Sequence, residues 1–587
     1  MKMTKKLIAT TMLLAMSVSV VGCGGGDSEP AESTSTSQYS EADASKDGGD
    51  GVIDTLTIMS EQSDGWIRNF NVLTSTPPQF MQGFMYEPLV IFDTFNNNRE
   101  TMWLAEDIVS EPDNKTLTIK VRQGVKWSDG EDFNAEDVAF SFTYAKDHPA
   151  IDRSGDWGEN GKIEAVNIID DYTVQIVMRE ENRFHRNTLF YNKWMIPEHV
   201  YSSVTDPSTF ILENPVVTGA FSVVETFQPE AVALLRNPTY WKADDLEVDR
   251  TVWPQYNSND AALTLLRTGN VDWAHIFIPD IEKTYIQGDE HRKYWYGMGD
   301  GVRIAPNYTT ENEGARRAFE DPEFKKAMSM SVDRQGIIDS AVFGYIEAVL
   351  PTNTGLPPAL FGYRSEEADA ITKQFSEYNI DSAKQLLADA GYKDINGDGF
   401  VEHADGTPIE FDIMSPAGWS DWNDGCAISV QGMREAGINA NAVTSEVSML
   451  PDGWTNNQWE ARYTANGVAG DVHKFYYDTI GDQSRIQTPS WWTITQTNYA
   501  NDELSALIDQ LPTAQSDEEV KAITDQVELF MAENMINIPV LYNGNWVVYN
   551  DARFTGWATA EDVFVNPANC IHDSKILQLM ALEPVRD

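Results

Sequence analysis

The chain is 587 residues long and strongly acidic, with 91 Asp and Glu against 42 Lys and Arg and a formal net charge of −49. A field of this sign repels nucleic acid and anionic membrane surfaces, and it therefore excludes both as partners. The residues after position 51 are too many for one hydrophobic core and predict about three or four domain-sized units.

The first 22 residues have the pattern of an export signal. A cationic start at residues 1–6 precedes a mostly apolar segment at residues 7–22, which ends in small residues. This segment is too short to span a bilayer core, because a spanning helix needs about 20 apolar residues. The sequence therefore predicts a signal peptide over residues 1–22.

Cys23 follows the apolar segment directly, in the tetrapeptide VVGC. This tetrapeptide resembles the lipobox of bacterial lipoproteins, in which the cysteine is lipidated and becomes the mature N-terminus. A thiolate is a good nucleophile towards an alkyl or acyl donor, which explains the choice of cysteine. Residues 23–51 are then expected to form a flexible tether, since they contain too few apolar residues to fold. The alternative is an ordinary cleaved signal with an incidental cysteine.

Strands and helices alternate along the remaining chain. A buried strand is predicted at residues 54–60, and Asn134 is predicted to cap a helix that begins at Ala135 with acidic residues in its first turn. The other predicted elements are strands at 117–121, 234–241, 271–274, 409–414 and 538–541, and helices at 260–268, 323–344 (a pair), 381–390 (capped by Asp381), 427–436, 502–511 and 517–535. This alternation predicts an α/β fold.

The residues offer no catalytic or zinc-binding constellation. Three cysteines and eight scattered histidines give no zinc-ligand spacing, and the common nucleophile, metalloprotease, phosphate-loop and dinucleotide motifs are absent from the sequence. Close carboxylate pairs such as Asp129 and Glu131 are expected by chance among 91 acids. The sequence therefore predicts a protein that is not an enzyme. Cys426 and Cys570 either form one disulfide or stay as buried free thiols, and free thiols are favoured.

Several segments, in the same order along the chain, resemble the oligopeptide, dipeptide and nickel-binding proteins of ABC importers, which are bacterial extracellular solute-binding proteins of family 5. The most specific segment is VRQGVKWSDGEDFNAEDVAFS at residues 121–141. The others include MYEPLV (85–90), LAED (104–107), VVTGAFSV with LLRNPTYWK (216–242), AALTLLRTGNVDWA (261–274), FKKAMSMSVDRQGIID (324–339), SAKQLLADAGY (382–392) and MINIPVLY (535–542).

This resemblance implies an α/β, periplasmic-binding-protein-like clamshell of two lobes (type II, peptide-binding cluster) that closes over a ligand. The implied parts are lobe 1 at 52–90, 216–305 and 539–587, an extra subdomain inserted into lobe 1 at 91–215, and lobe 2 at 306–538. The protein would be a monomer outside the cytoplasm, in the periplasm or on the outer face of the membrane. It would touch the membrane through its lipid anchor only, and would deliver its ligand to the permease subunits of an ABC transporter.

The implied function is capture of an oligosaccharide of the cello-, xylo- or manno- class. Capture of an oligopeptide is the alternative, and hydrolysis of an extracellular glycan is a third, weaker one. SPAGWSDWNDGC (415–426) and FTGWATAEDVFVNP (554–567) are similar to the oligosaccharide-binding branch of the family, whereas the region 463–483 departs from the peptide binders. Indole rings suit the apolar face of a sugar, and polar side chains suit its hydroxyl rim.

The candidate ligand-binding residues are mostly tryptophans in polar or Gly- and Pro-containing stretches, which predict loops rather than packed elements. For each tryptophan the alternative is packing in a core or between lobes. The candidates are Trp66, Trp419, Trp422, Trp454, Trp491, Trp492 and Trp557, with Asn466 and Asp471 as rim partners or, for Asp471, as a ligand of a peptide amine.

Residues 394–405 (DINGDGFVEHAD) nearly fit a calcium-binding loop. The candidate ligands are Asp394, Asn396 and Asp398, with Asp405 at the last position, where a longer Glu is expected. A metal-free acidic turn is the alternative, and no other cofactor is expected. His473 is a minor candidate for metal or haem, because some members of the resembled family bind nickel or haem.

Overall fold

The structure is a computed structural model that describes residues 53–159, 161–347, 349–450, 453, 456–465, 470–482, 497–570 and 574–586. Several predicted features lie outside these residues, namely the signal, Cys23 and its tether, Trp454, Asn466, Trp491 and Trp492. Within the described part of the chain, every helix is too short or too polar to cross a membrane.

The strands are β1 (Thr55–Met59), β2 (Val90–Asp93), β3 (Arg99–Met102), β4 (Ala105–Ser110), β5 (Thr116–Val121), β6 (Ile163–Asp170), β7 (Thr173–Met178), β8 (Phe221–Gln228), β9 (Ala231–Arg236), β10 (Arg250–Pro254), β11 (Trp273–His275), β12 (Arg292–Pro306), β13 (Glu410–Pro416), β14 (Asn439–Ser445), β15 (Ala461–Ala465), β16 (Ile538–Asn550), β17 (Phe554–Thr555) and β18 (Glu583–Pro584).

The α-helices are α1 (Ala135–Asp147), α2 (His185–Phe190), α3 (Glu198–Tyr201), α4 (Asn259–Leu266), α5 (Glu313–Glu320), α6 (Pro322–Met330), α7 (Arg334–Ser340), α8 (Glu366–Gln374), α9 (Ile380–Asp389), α10 (Ser420–Glu435), α11 (Val472–Ile480), α12 (Asp502–Gln510), α13 (Asp517–Glu533) and α14 (Ser574–Ala581). The mixed α/β prediction is confirmed.

Local signals explain where several helices begin. Asn134 accepts a hydrogen bond from the Glu136 backbone N–H at 2.7 Å, and its own N–H donates to Asp137, which completes a capping box as α1 begins. The predicted cap of α9 is wrong by two residues. Asn379 caps this helix and accepts from the Ser382 N–H at 2.9 Å, so Asp381 lies inside the first turn.

A ten-stranded sheet organises most of the chain, in the order β14-β13-β15-β12-β16-β11-β1-β10-β9-β8. At its centre β12 and β16 pair antiparallel from Arg292 opposite Asn550 to Ile304 opposite Ile538, with a register shift between Met298 and Gly301. A separate four-stranded sheet has the order β4-β5-β7-β6. The two long strands therefore join the two halves of the large sheet.

Buried apolar side chains form four clusters in the described residues. The largest, here called the large core, contains residues from 277 to 546 and packs α5–α7 and α9–α13 against the strands between β12 and β16. The other three take their members from residues before 290 and after 546. The cores thus divide at the two long central strands.

Cys426 and Cys570 are free thiols in the structure, as expected. Burial raises the pKa of each thiol to about 12, which keeps both in the unreactive neutral form.

Candidate ligand-binding site

The carboxyl ends of parallel strands from both halves of the large sheet meet in one region. In one half β1 pairs parallel with β10 and β11, and in the other β13 pairs parallel with β14 and β15. The chain leaves β1 towards Gln62, β10 towards Asn259 and β13 towards Trp419. Ligands of open α/β sheets bind in the crevice beyond such strand ends, so this region is the candidate site.

Hydrogen bonds join the two halves of the sheet at this point. The Asn259 backbone N–H donates to the Gly418 carbonyl at 3.1 Å, and Asn259 Nδ2 donates to Ser420 Oγ at 3.0 Å. Gln62 Nε2 in turn donates to Asn259 Oδ1 at 3.2 Å. Asp421 is buried beside these groups, and burial raises the pKa of its carboxyl to about 7. The site is therefore polar along this edge, where Gln62, Asn259 and Ser420 are uncharged.

Trp419 lies at this junction with its polar group unused. It precedes the first residue of α10, packs edge-on against Trp422 at 4.8 Å between ring centroids, and is half-buried. Its indole Nε1 is buried and has no hydrogen-bond partner among the described residues. A buried N–H of this kind favours a ligand oxygen as its partner.

The other described tryptophan candidates lie in hydrophobic cores, each 8% exposed. Trp66 donates its Nε1–H to the Trp253 carbonyl at 3.1 Å, and Trp557 donates to the Phe554 carbonyl at 2.8 Å. Trp422 was expected in a loop, and that expectation is wrong. The helix α10 begins at Ser420, so Trp422 faces the large core from its first turn. Core packing accounts for the burial of all three rings.

Asp471 caps α11, the first helix after β15 among the described residues. Its Oδ1 accepts a hydrogen bond from the Lys474 backbone N–H at 2.8 Å, whereas Oδ2 is buried without a partner in the described part of the chain. Burial raises the pKa of this carboxyl to about 7. His473 follows on the same helix, and burial together with the charges of Lys162 and Lys474 lowers its pKa to about 3. This imidazole is therefore neutral.

Trp546 also has an unused indole N–H, but it was not among the ligand-binding candidates predicted from the sequence. It lies on β16 opposite Tyr296 and contacts the rings of Tyr296 and Phe277 at 4.8 and 5.1 Å. Its Nε1 is buried with no partner among the residues described. The one local signal is the Asn543–Asn545 segment with its central Gly544, an interruption in an otherwise apolar strand. Gln62 and Asn259 carried no local signal for a site.

The predicted calcium loop is only partly assembled. Oxygens of Asp394, Asp398 and Glu402 lie within 4.8 Å of one another, and Asp394 accepts backbone hydrogen bonds from Gly397 and Gly399. Asn396 accepts from the Asp398 N–H at 2.8 Å, inside the turn.

The expected last ligand of this loop is directed elsewhere. The Asp405 carboxylate lies 3.0 Å from the Arg317 guanidinium and is not part of the oxygen cluster. The buried Glu402 supplies the third carboxylate of the cluster. Hydrogen bonds from Thr407, helped by Arg317, lower the Asp405 pKa to about 2. The role predicted for Asp405 is therefore wrong, whereas calcium binding by the remaining residues stays a prediction.

Solved structures define the class of protein. The fold matches a mannohexaose-bound periplasmic oligopeptide-binding protein from Thermotoga maritima with a TM-score of 0.81, 22% identity, and coverage of 90% of this chain and 98% of that one. It also matches the oligopeptide-binding protein AppA from Bacillus subtilis in complex with a nonapeptide, with a TM-score of 0.73, 21% identity, and coverage of 91% and 99%. The protein thus has the two-lobe α/β fold of periplasmic binding proteins.

Sequence comparison identifies the family. The family model for bacterial extracellular solute-binding proteins, family 5 Middle, matches residues 101–488, and the chain belongs to this family. Oligopeptide-binding protein AppA of Bacillus subtilis (strain 168) is 24% identical over 77% of this chain and 79% of its own length. A putative ABC transporter peptide-binding protein of Brucella ovis is 27% identical over 57% of this chain and 60% of its own. The protein is therefore a solute-binding receptor of an ABC importer, outside the cytoplasm, and its family is not one of enzymes.

Proposed function

We propose that this receptor captures oligosaccharides by closing two lobes over them. Lobe 1 comprises residues 52–90, 216–305 and 539–587, with residues 91–215 inserted as a subdomain, and lobe 2 comprises residues 306–538. The division of the hydrophobic cores at β12 and β16 supports these boundaries, since nearly all of the large core lies between 302 and 541. The two long strands then serve as the hinge.

The observation that carries the sugar proposal is the unused indole N–H of Trp419 at the junction of the lobes. A sugar offers both an apolar C–H face for the ring and hydroxyl oxygens for the Nε1–H. Such a contact contributes about 0.5–1.5 kcal/mol beyond area burial. The polar, uncharged edge formed by Gln62, Asn259 and Ser420 suits a neutral, hydroxyl-rich ligand. The mannohexaose held by the Thermotoga maritima protein is a precedent within the same fold.

An oligopeptide is the second candidate, because of Asp471. Its buried Oδ2 has no partner among the described residues, and a peptide amine would supply one. The relatives named as peptide-binding proteins favour this candidate too. The raised pKa of Asp471 weakens it, since a carboxyl that holds its proton near neutral pH attracts a cation poorly.

A thermal-shift panel separates the candidates. Purified protein is heated with mannohexaose, cellohexaose, xylohexaose or a nonapeptide, each at several concentrations. A ligand present at 100 times its Kd adds about 2.7 kcal/mol to the free energy of unfolding. The proposal predicts stabilisation by at least one hexaose and none by the nonapeptide. Stabilisation by the nonapeptide alone would reverse the assignment, and chromatography of the hexaoses after incubation would reveal any hydrolysis.

We further propose that Cys23 carries the lipid anchor, that the protein acts as a monomer, and that it delivers its ligand to the permease subunits. The tether over residues 23–51 would keep the receptor close to its transporter, which raises the effective concentration rather than the affinity.

A further inference from the structure

Residues 182–187 of the inserted subdomain make a second set of contacts with lobe 2, away from the Asn259 junction. The Arg183 backbone N–H donates to the Pro512 carbonyl at 2.9 Å. The Arg183 guanidinium donates to the Ala514 carbonyl at 3.1 Å and pairs with Asp517. One arginine thus contacts three acceptors, two of them on the turn between α12 and α13 and the third on the first residue of α13.

Aromatic contacts extend this set of contacts along α11. Phe184 stacks on His473 with ring centroids 6.0 Å apart and planes inclined by 19°. The stacking is compatible with the neutral imidazole, because burial and neighbouring lysines hold the His473 pKa low. Lys162 lies 5.6 Å from the ring of Tyr477 on the same helix. Charged, aromatic and backbone groups of the subdomain therefore all engage lobe 2.

At Gly470 the two surfaces lie too close together to leave room for a Cβ. A Cβ placed on Gly470 would lie 1.9 Å from Asn187 Oδ1 and 2.8 Å from Asn98 Oδ1, both on the subdomain side. The backbone of Gly470 is not in the left-handed region, so conformation alone does not require glycine there. A Cβ placed on Gly418 would likewise lie 2.8 Å from the Asn257 carbonyl oxygen of lobe 1, but the φ of +81° at Gly418 would favour glycine in any case. Glycine is therefore needed at position 470 because it has no side chain to fill the gap between the two surfaces, and not because of its backbone conformation.

We infer that Arg183 and Phe184 form a latch that holds lobe 2 shut, and that Gly470, which has no side chain to meet Asn187, lets this latch engage. In this view Arg183 and Gly470 are positioning residues that set the population of the closed state and, through it, the ligand affinity. A ligand that binds the closed state gains whatever the latch contributes, because the apparent Kd scales inversely with the fraction of competent protein. The inference rests on the proposed lobes but not on the identity of the ligand.

Hydrogen exchange of the unliganded protein tests the latch without any ligand. The Arg183 amide donates across the lobes, whereas the amides of Asn182 and His185 are bonded inside the subdomain, so the exchange of the Arg183 amide, resolved from overlapping peptides, reports closure directly. We expect this amide to be protected in the wild type and to exchange about tenfold faster in Gly470→Ala, because the added methyl meets Asn187 only when the lobes close. Adding Asn187→Ala to Gly470→Ala should restore much of the protection. Gly362→Ala is the matched control, since a Cβ there has nothing within 4 Å.

Two outcomes would overturn the latch. One is a wild-type Arg183 amide that exchanges at the rate of a free amide. The other is a Gly470→Ala protein in which protection falls equally in β5 and β7, since that would be general destabilisation. Should Gly470→Ala fail to fold, Arg183→Ala is judged by the same readout, with Arg183→Lys expected to recover only part of the protection. Repeating the exchange with mannohexaose separates the two proposals, because failure of the sugar to bind leaves the unliganded result intact.

Discussion

Glu87 gives a prediction whose magnitude follows from the structure. This carboxylate is fully buried and accepts hydrogen bonds from two indoles, Trp103 Nε1 at 2.6 Å and Trp241 Nε1 at 3.3 Å. Burial outweighs these bonds and raises the Glu87 pKa from 4.5 to about 7. The folded protein therefore binds a proton at this site that the unfolded chain has already lost between pH 4.5 and 7.

The sign of the pH effect follows from that difference. Because the folded pKa is raised, the stabilising contribution of protonated Glu87 is full below pH 4.5 and is lost as the pH rises through 7. The rise in the Glu87 pKa from 4.5 to about 7 corresponds to about 3 kcal/mol, since each pH unit is worth about 1.36 kcal/mol. Glu87→Gln keeps an acceptor for the indoles but does not titrate, so it should become more stable relative to the wild type by about that amount between pH 4.5 and 8.

Urea denaturation of both proteins at pH 4.5, 6 and 8 measures this difference in unfolding free energy. Glu180→Gln, at an exposed position, is the control for the loss of a carboxyl from the protein surface. A Glu87→Gln difference that stays constant across this range would refute the reasoning. It would mean that the two indoles and the surrounding dipoles stabilise the charged form as well as water does.

Three further predictions concern the ligand, the anchor and the fold. Trp419→Ala should raise the Kd for the bound hexaose about tenfold by isothermal titration calorimetry and Trp419→Phe should raise it less, with both variants still folded by circular dichroism; equal affinity in all three proteins would remove Trp419 from the site. Cys23→Ser should move the protein from the detergent to the aqueous phase in a Triton X-114 partition of expressing cells, and retention in detergent would disprove lipidation at Cys23. Asn134→Ala should destabilise the protein by about 1 kcal/mol through loss of the α1 cap, whereas Asn134→Asp should be nearly neutral; equal losses would show that the cap contributes nothing.

Local signals predicted much of the fold because they act over a few residues. The cap at Asn134 and the pair α6 and α7 follow from side chains close in sequence, and the structure has them where they were expected. The start of α10 shows the limit of such signals. Ser420 and Asp421 suit a turn as well as the first turn of a helix, and only the packing of Trp422 against the large core decides between them.

The candidate site was harder to predict because its contacts are remote in sequence. Trp66 lies in a loop, as expected, yet its ring is buried and its Nε1–H donates to the carbonyl of Trp253, 187 residues further along the chain. Asn259 has no unusual neighbours in sequence, and its role at the junction comes from Ser420, 161 residues away. Of the described tryptophan candidates, Trp419 alone keeps an unpartnered N–H at the strand ends, and no periodicity could have singled it out.

A crystal structure of the protein soaked with mannohexaose tests the central claim most directly. We expect sugar density between the lobes, with one sugar ring against Trp419 and a sugar oxygen that accepts a hydrogen bond from Trp419 Nε1. A nonapeptide held in that cleft under the same treatment, with its amine on Asp471 and no sugar bound, would contradict it.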